Sequence, residues 1–379
     1  MSRSNGQSSE FSEILEKALN KERISKEEGL RLLDAQGSEI DRLIKVANQL
    51  RREIVGDEVT YVVNRNINFT NVCENSCKFC AFNVSESSPE SYTLGLVDVT
   101  EKTRKALERG ATEICLQGGL NSSLSFDDYL NYLEAVKSVS QDIHIHGYSP
   151  AEIDHMEKKT DMDLREVLEK LKDTGLDSVP GTAAELLVEN IRGRICPNKI
   201  SSSRWIEIVK TCHQLNIPTT ATLLYGHIEK KTDIVSHLAK IREIQEETGG
   251  FTEMIPLAFS SQGTLLEREE NIPERSLDID LKVHAISRIF LACQIKNIQT
   301  SWVKLGLQRA QKVLEAGAND FSGTLMEEKI TRAAGGTREG LEIGEIKELI
   351  EELGRTPRQR STTYEVLSCS SNGTPMKIN

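Results

Sequence analysis

Three cysteines within eight residues constrain this chain more than any other feature of its sequence. Cys73, Cys77 and Cys80 are separated by three and then two residues, a spacing that lets three thiolates surround one face of a cubane iron-sulfur cluster. A [4Fe-4S] cluster that only transfers electrons takes four cysteines, so three ligands leave one iron open to another molecule. The sequence therefore predicts a [4Fe-4S] cluster with one open iron site.

A structural zinc site is the main alternative for this run. Such a site needs four Cys or His ligands, commonly arranged as two pairs, and the next candidates downstream are Cys115 and His144. The remaining cysteines lie far apart. Cys212 follows Trp205 at the spacing of a buried helix face, and Cys115 falls inside a predicted strand, so both are expected to pack in the core.

The cysteine run resembles the signature of the radical S-adenosylmethionine superfamily. In that superfamily the open iron binds the amino and carboxylate groups of S-adenosylmethionine, and the reduced cluster cleaves this cofactor to a 5'-deoxyadenosyl radical. The resemblance implies two cofactors, a [4Fe-4S] cluster on Cys73, Cys77 and Cys80 and S-adenosylmethionine. It also implies that Phe79, just before the third cysteine, lies against the adenine.

Composition narrows the class of protein further. The chain has 379 residues and a net charge of −11, which argues against a nucleic-acid surface. It has no long apolar run and no secretory signal, so we expect no membrane association. Few cysteines outside the run, together with an oxygen-labile cluster, favour a reducing interior, and the expected compartment is the cytoplasm.

The order of predicted elements favours one barrel. A disordered tail is expected over 1–10, a helical segment over 11–58, a (β/α)8 TIM-like barrel over 59–365 and a polar tail over 366–379. A capping box at Ser25–Glu28 opens a helix in the second of these segments. Eight strands are predicted at 60–69, 112–117, 143–147, 176–179, 217–224, 252–257, 298–303 and 318–322, with helices between most of them.

Barrel catalysis takes place after the strand ends on the C-terminal face, which tests the remaining motifs. The second strand ends in Gly118-Gly119, where missing side chains let a ligand approach the backbone; in the superfamily this pair lies against the methionyl amino group. Glu185 and Arg192 follow the fourth strand and suit the ribose hydroxyls and the amino-acid moiety of the cofactor. The turn at Gly226 resembles the loop that supports adenine in related enzymes.

Polar side chains on other strands are candidate substrate ligands. His144 and His146 have the i, i+2 spacing that points both to one side of a strand, where they bind a polar substrate, bind a metal or pack in the core. Threonines are unusual in a plain core strand and suit the lining of a wet cavity. The full set of candidates is His144, His146, Tyr148, Thr220, Thr222, Tyr225 and Asn319, with Trp302 and Thr324 as further possibilities.

A more specific resemblance covers about residues 45–365. The chain resembles the tyrosine-using subunit family of 7,8-didemethyl-8-hydroxy-5-deazariboflavin (FO) synthase, the CofH type. The motifs that carry this resemblance are 179–185 (VPGTAAE), 194–199 (RICPNK), 219–222 (TTAT), 225–227 (YGH), 246–253 (EETGGFTE), 301–306 (SWVKLG), 317–320 (GAND), 323–328 (GTLMEE) and 357–360 (PRQR). The last motif is expected either to close one end of the barrel or to neutralise a substrate carboxylate.

The resemblance implies a reaction and its partners. The family cleaves the Cα–Cβ bond of L-tyrosine and adds the 4-hydroxybenzyl fragment to C5 of 5-amino-6-(D-ribitylamino)uracil. A ring-closing FO synthase subunit then completes the deazaflavin of coenzyme F-420. The alternatives are aminofutalosine synthase or futalosine cyclase of menaquinone biosynthesis, the ring-closing subunit itself, and a non-enzymatic iron-sulfur carrier.

Overall fold

The architecture is described from a computed structural model, which describes residues 2–369 and 375–377, with side chains considered for 9–367. The helices are α1 Ser2–Leu19, α2 Lys26–Leu33, α3 Ser38–Val55, α4 Leu96–Glu108, α5 Phe126–Lys137, α6 Pro150–Glu157, α7 Leu164–Thr174, α8 Glu189–Ile195, α9 Ser202–Gln214, α10 Lys231–Thr248, α11 Leu265–Glu269, α12 Leu277–Leu291, α13 Trp302–Leu305, α14 Leu307–Leu314, α15 Ile330–Ala333 and α16 Ile343–Glu351. The strands are β1 Glu58–Val62, β2 Asn64–Asn68, β3 Glu113–Gln117, β4 His144–Gly147, β5 Thr219–Tyr225, β6 Phe251–Ala258, β7 Asp320–Gly323, β8 Thr356–Gln359, β9 Leu367–Cys369 and β10 Pro375–Lys377.

Parallel pairing closes these strands into the predicted barrel. The strand predicted at 60–69 is present as β1 and β2, which pair on opposite sides with β7 and β3. β3 pairs with β4, and β5 pairs with β6. Single bridges join the remaining neighbours: His146–Ser178, Val179–Thr219, Met254–Ile298, Gln299–Asp320 and Arg65–Met326. The (β/α)8 fold class is confirmed.

Two of the eight predicted strands contribute only bridges. The strand at 176–179 stops before Pro180, because proline has no N–H to donate to a ladder. The strand predicted at 298–303 ends early, since Trp302 begins helix α13. Both segments still occupy their positions in the barrel wall, so the topology is unaffected.

Helix α7 illustrates how the outer layer forms. Asp163 accepts a hydrogen bond from the Glu166 amide, and Gly175 ends the helix with a φ of 118°. The buried stripe on its inner face is Leu164, Val167, Leu168 and Leu171. Burying one such side chain contributes about 1.5–3 kcal/mol, so this face fixes the helix against the barrel. The predicted capping box between Ser25 and Glu28 is also present, at the start of α2.

The N-terminal segment differs from the expected disordered tail. Helix α1 begins at Ser2, so residues 2–10 are helical. The reason lies just after them, where Phe11, Ile14 and Leu15 are buried and anchor the helix. Extending an anchored helix costs much less than nucleating a new one. Of the predicted polar tail, Leu367–Cys369 and Pro375–Lys377 pair as an antiparallel hairpin, whereas 370–374, 378 and 379 lie outside the described residues.

None of the helices in the described part of the chain combines the length and apolar character needed to cross a bilayer.

Candidate active site

A cavity of about 380 Å³ occupies the barrel interior and reaches the loop after β2. Many of the residues predicted as ligands line it. They are Cys73, Cys77, Phe79, Cys80, Gly118, Gly119, His146, Glu185, Thr220 and Thr222. Cys115, expected in the core, also lines this cavity, because residues 113, 115 and 117 of β3 all face inward.

The cysteine loop is held by backbone hydrogen bonds to its neighbours. The Leu120 amide donates to the Cys73 sulfur at 3.3 Å, and the Glu74 amide donates to the Leu120 carbonyl at 2.9 Å. Burial raises the pKa of Cys77 to about 12, and coordination to iron would hold this side chain as a thiolate. All three cysteines line the same cavity, and cysteine thiolates are the ligands that iron-sulfur clusters take, so the chemistry of the donor set fits a [4Fe-4S] cluster.

The glycine pair after β3 allows the backbone there to lie close to the cysteine loop and the end of β2. A Cβ on Gly119 would lie 2.2 Å from the Val72 carbonyl oxygen, and one on Gly118 would lie 2.6 Å from the Phe69 ring. Both positions therefore require glycine. Glu152, which the sequence reading did not single out, accepts a hydrogen bond from the Gly118 amide at 2.9 Å. The sequence feature that could have drawn attention to Glu152 is the capping box that it forms with Ser149 at the start of α6.

Glu185 lies in a strained loop beside the cluster loop. Its φ is 45°, a conformation that a non-glycine residue adopts only when its surroundings enforce it. Its carboxylate lies 2.7 Å from the Lys199 ammonium, which lies 5.3 Å from the centre of the Phe79 ring. Burial, the largest single cause, lowers the pKa of Lys199, but Glu185, Cys77 and Cys196 together raise it by more, so its net pKa lies above the usual value. Lys199 was not predicted, although it ends a motif that carries the family resemblance.

Two predicted cofactor residues lie outside the cavity lining. Arg192 is buried, and its guanidinium donates to the backbone carbonyls of Ala183, Ala184 and Ile200. It therefore stabilises the loop that carries Glu185. Gly226 has a φ of 85° and donates its amide to Glu229 at 2.6 Å, which makes it a turn residue. Neither residue lines this cavity, so contact of either one with the cofactor stays a prediction.

The two histidines of β4 lie on one side of the strand, as their spacing predicts. His144 Nε2 and His146 Nδ1 both lie 2.7 Å from the Ser178 hydroxyl. Only His146 lines the cavity. Burial, as the main cause, lowers the pKa of His146 to about 4, so its imidazole is neutral at physiological pH. A neutral imidazole suits hydrogen bonding to a polar substrate.

Tyr148, Tyr225 and Asn319 face away from the cavity, contrary to expectation. The Tyr148 hydroxyl donates to the Tyr129 carbonyl at 2.6 Å, and the Tyr225 hydroxyl donates to Asp280 at 2.7 Å. Asn319 accepts from the Arg288 guanidinium at 2.7 Å. The cause in β5 is strand alternation: residues 220, 222 and 224 face inward, so 225 faces the helices.

Trp302 and Thr324 are likewise buried outside the cavity lining. The Trp302 indole donates to the Gly323 carbonyl at 2.9 Å, and the Thr324 hydroxyl donates to the Asn64 carbonyl at 2.7 Å. Both side chains therefore tie the end of β7 to neighbouring backbone.

The chain after β8 closes the far end of the cavity. Arg360 is buried and forms a two-pronged ion pair with Asp320. Thr362 donates to Glu113 at 2.7 Å, and Tyr364 donates to Glu253. Burial raises the pKa of Glu253 to about 7. Of the two roles expected for the 357–360 motif, these contacts favour closure of the barrel.

Replacing Arg360 with alanine is expected to lower the free energy of unfolding by about 3–5 kcal/mol, because Asp320 would keep a buried, unpaired charge. Arg358, two residues earlier, is the matched control. It pairs with Glu58 at the surface, where both side chains are nearly half exposed, and its removal should cost less than about 1 kcal/mol. Urea unfolding of both variants measures the difference, and equal losses would contradict the buried pairing.

Two protein-family models match the chain. The radical SAM superfamily model matches residues 67–241, and the model for the CofH/MqnC C-terminal region matches residues 248–373. The first range contains the three cysteines and the glycine pair. The second contains the part of the chain that closes the barrel.

Solved structures support the fold. Methylornithine synthase (PylB) aligns with a TM-score of 0.71 at 19% identity, covering 91% of this chain and 97% of that one. The FeFe-hydrogenase maturase HydG from Carboxydothermus hydrogenoformans aligns with a TM-score of 0.75 at 18% identity, covering 95% of this chain and 81% of that one.

Curated relatives are much more similar in sequence. The 5-amino-6-(D-ribitylamino)uracil--L-tyrosine 4-hydroxyphenyl transferase of Methanopyrus kandleri is 48% identical, with 88% of this chain and 91% of the relative covered. The protein of the same name from Archaeoglobus fulgidus is 49% identical, with 85% and 93% covered. This chain therefore belongs to the radical S-adenosylmethionine superfamily and, within it, to the family of 5-amino-6-(D-ribitylamino)uracil--L-tyrosine 4-hydroxyphenyl transferases.

Proposed function

We propose that this protein is a radical S-adenosylmethionine transferase that cleaves the Cα–Cβ bond of L-tyrosine. It transfers the 4-hydroxybenzyl group to C5 of 5-amino-6-(D-ribitylamino)uracil, a step in the biosynthesis of FO and coenzyme F-420. The observation that carries this proposal is the identity of 48–49% to transferases of that name over nearly the whole chain. The cavity joining the cysteine loop to polar barrel strands is consistent with it.

We assign cofactor binding to one end of the cavity and substrate binding to the other. When bound by Cys73, Cys77 and Cys80, a [4Fe-4S] cluster supplies the electron that cleaves S-adenosylmethionine and so generates the radical. Phe79 offers an aromatic face to the adenine, and Glu185 offers carboxylate oxygens to the ribose hydroxyls. Gly118 and Gly119 leave room for the methionyl group. These contacts are proposals for the cofactor end.

At the other end, the barrel wall offers hydrogen bonds to a ribityl chain and a pyrimidinedione. His146 is neutral, and the Thr220 and Thr222 hydroxyls each combine a donor with acceptor lone pairs. The Gly181 amide donates to Thr220 at 2.8 Å, and Thr222 donates to the Gly181 carbonyl at 2.7 Å, which fixes both side chains. Fixed polar groups orient a substrate, and the enclosing wall excludes water that would compete with the radical step.

The product has an uncyclised hydroxybenzyl group, so a ring-closing FO synthase subunit is the proposed functional partner. The cytoplasm is the proposed compartment, because an oxygen-labile cluster needs reducing surroundings.

The test of this function is an anaerobic assay with reconstituted protein, a reductant and S-adenosylmethionine. Deoxyadenosine formation should depend on tyrosine, and the hydroxybenzyl adduct should appear by mass spectrometry only when the uracil is also present. A reaction without protein and a reaction without tyrosine are the controls. Turnover of a futalosine-type substrate in place of tyrosine would contradict the proposal in favour of the menaquinone-pathway relatives.

A further inference from the structure

Lys304 is a cavity-lining cation outside the proposed cofactor and substrate contacts. It lies on α13, immediately after the seventh segment of the barrel wall, so it belongs to the face on which catalytic groups collect. Its side chain lines the same cavity as Cys80 and Glu185. The other lysine in this lining, Lys199, is already paired with Glu185 at 2.7 Å.

The ammonium of Lys304 has no partner among the described residues. It forms no ion pair within 4 Å in that part of the chain. The nearby carboxylate of Glu328 is engaged elsewhere, because it accepts from the Thr331 amide at 2.6 Å and from the Asn66 side chain. Burial lowers the pKa of Lys304, although Glu328, Cys80 and Glu185 each raise it. Burying a charged ammonium without a partner is costly, so an anionic ligand beside Lys304 would stabilise it.

The reactants of the proposed function limit what that anion is. The pyrimidinedione and its ribityl chain carry no carboxylate. In the superfamily, the carboxylate of S-adenosylmethionine binds the open iron. The remaining anion is the α-carboxylate of the amino-acid substrate.

A second cavity-lining group without a partner suits the amino group of an amino acid. Asn66 is 7% exposed and lines the cavity. Its amide nitrogen donates to Glu328, whereas its Oδ1 lacks a hydrogen-bond partner in the described structure. A buried carbonyl oxygen without a donor is costly, so it favours a ligand with an N–H group. Glu328 is close to both residues, since it accepts a hydrogen bond from Asn66 and raises the pKa of Lys304.

We propose that Lys304 binds the α-carboxylate of tyrosine, with Asn66 Oδ1 accepting from its amino group. This inference rests on the proposed function and extends it to a substrate-binding residue. The contact holds the amino-acid end near the cysteine loop and directs the phenol ring away from it. Charge-assisted hydrogen bonds are about twice as strong as neutral ones, so the carboxylate should dominate substrate selectivity.

The test compares ligands with and without the carboxylate. Equilibrium dialysis of anaerobically reconstituted protein with S-adenosylmethionine should show tyrosine binding about 10- to 100-fold more tightly than tyramine or tyrosinamide. In Lys304→Met this preference should collapse to less than about threefold, because tyrosine binding weakens while tyramine binding is unchanged. Lys304→Arg should keep the preference. Lys210→Met, at a surface lysine paired with Glu247, is the control and should match wild type.

The outcomes separate the two proposals. Wild-type protein that binds tyrosine and tyrosinamide equally would overturn the Lys304 assignment without using any variant, so a misfolded variant cannot mask the answer. A Lys304→Met protein that weakens S-adenosylmethionine binding, with unchanged tyrosine affinity, would also overturn it and place the lysine on the cofactor. Wild-type protein that does not bind tyrosine at all would overturn the proposed function and this inference together.

Discussion

Cys77→Ala is expected to abolish deoxyadenosine formation and to lower the iron bound after reconstitution from close to four per chain. With three thiolates for four irons, the site has no spare ligand, and the remaining cysteines cannot hold the cluster in place. Cys77 is also the most buried of the three, so water cannot easily replace its sulfur. Cys73→Ala and Cys80→Ala should have the same effect. Iron analysis and chromatography of the products measure both losses.

The matched control is Cys212→Ala. Cys212 is fully buried on α9, as its helical spacing predicted, and does not line the cavity. Its replacement should keep the iron content and the activity while lowering stability slightly, since a small apolar group is lost from the core. Wild-type deoxyadenosine formation by any of the three cluster-loop variants would contradict the ligand assignment.

Phenylalanine is expected to replace tyrosine with a loss in kcat/KM of about 10⁴-fold. A site that pairs the phenol hydroxyl leaves its own buried polar group unsatisfied when that hydroxyl is missing. Neutral His146 and the cavity-facing threonines Thr220 and Thr222 are candidates for such a partner. Initial rates of adduct formation with the two amino acids measure the ratio.

3-Fluorotyrosine provides the control for this comparison, because it keeps the hydroxyl and nearly the same shape. Its rate should stay much closer to that of tyrosine than to that of phenylalanine. Phenylalanine turnover within tenfold of tyrosine turnover would show that the hydroxyl is not recognised in the cavity.

Local patterns were sufficient to predict the barrel. The wall segments are β-prone runs with helices between most of them, and all eight predicted positions contribute to the barrel. Local sequence patterns could not show where a predicted strand ends early because a helix begins, or where a segment predicted to be disordered extends a helix. The strand predicted at 298–303 ends early because helix α13 begins at Trp302, and residues 2–10 of the predicted tail are helical because buried side chains follow them.

The candidate site was predictable where backbone spacing decides it. The cysteines and the glycine pair depend on short-range geometry, and the structure brings them together at one end of the cavity. Tyr148 and Tyr225 depend on which side of a strand end faces inward. Tyr148 has a φ of 54°, which breaks the alternation that a strand would give it, and this departure is not visible in the sequence.

Charged residues were the hardest to assign from sequence. In the sequence, Lys199 and Lys304 are indistinguishable from surface lysines. In the structure, Lys199 pairs with Glu185 and Lys304 lines the cavity. Arg192 shows the converse, because its guanidinium is used by backbone carbonyls rather than by a ligand. Burial and partner choice are tertiary properties, and a single sequence does not contain them.

Tyrosine carrying two deuterium atoms at Cβ tests the central claim most directly. If the Cα–Cβ bond breaks and the whole benzylic carbon is transferred, the adduct with 5-amino-6-(D-ribitylamino)uracil should keep both deuterium atoms. Mass spectrometry of the anaerobic reaction should therefore show the adduct shifted by two mass units from that made with unlabelled tyrosine. An adduct that has lost Cβ deuterium would contradict cleavage of this bond and with it the assigned reaction.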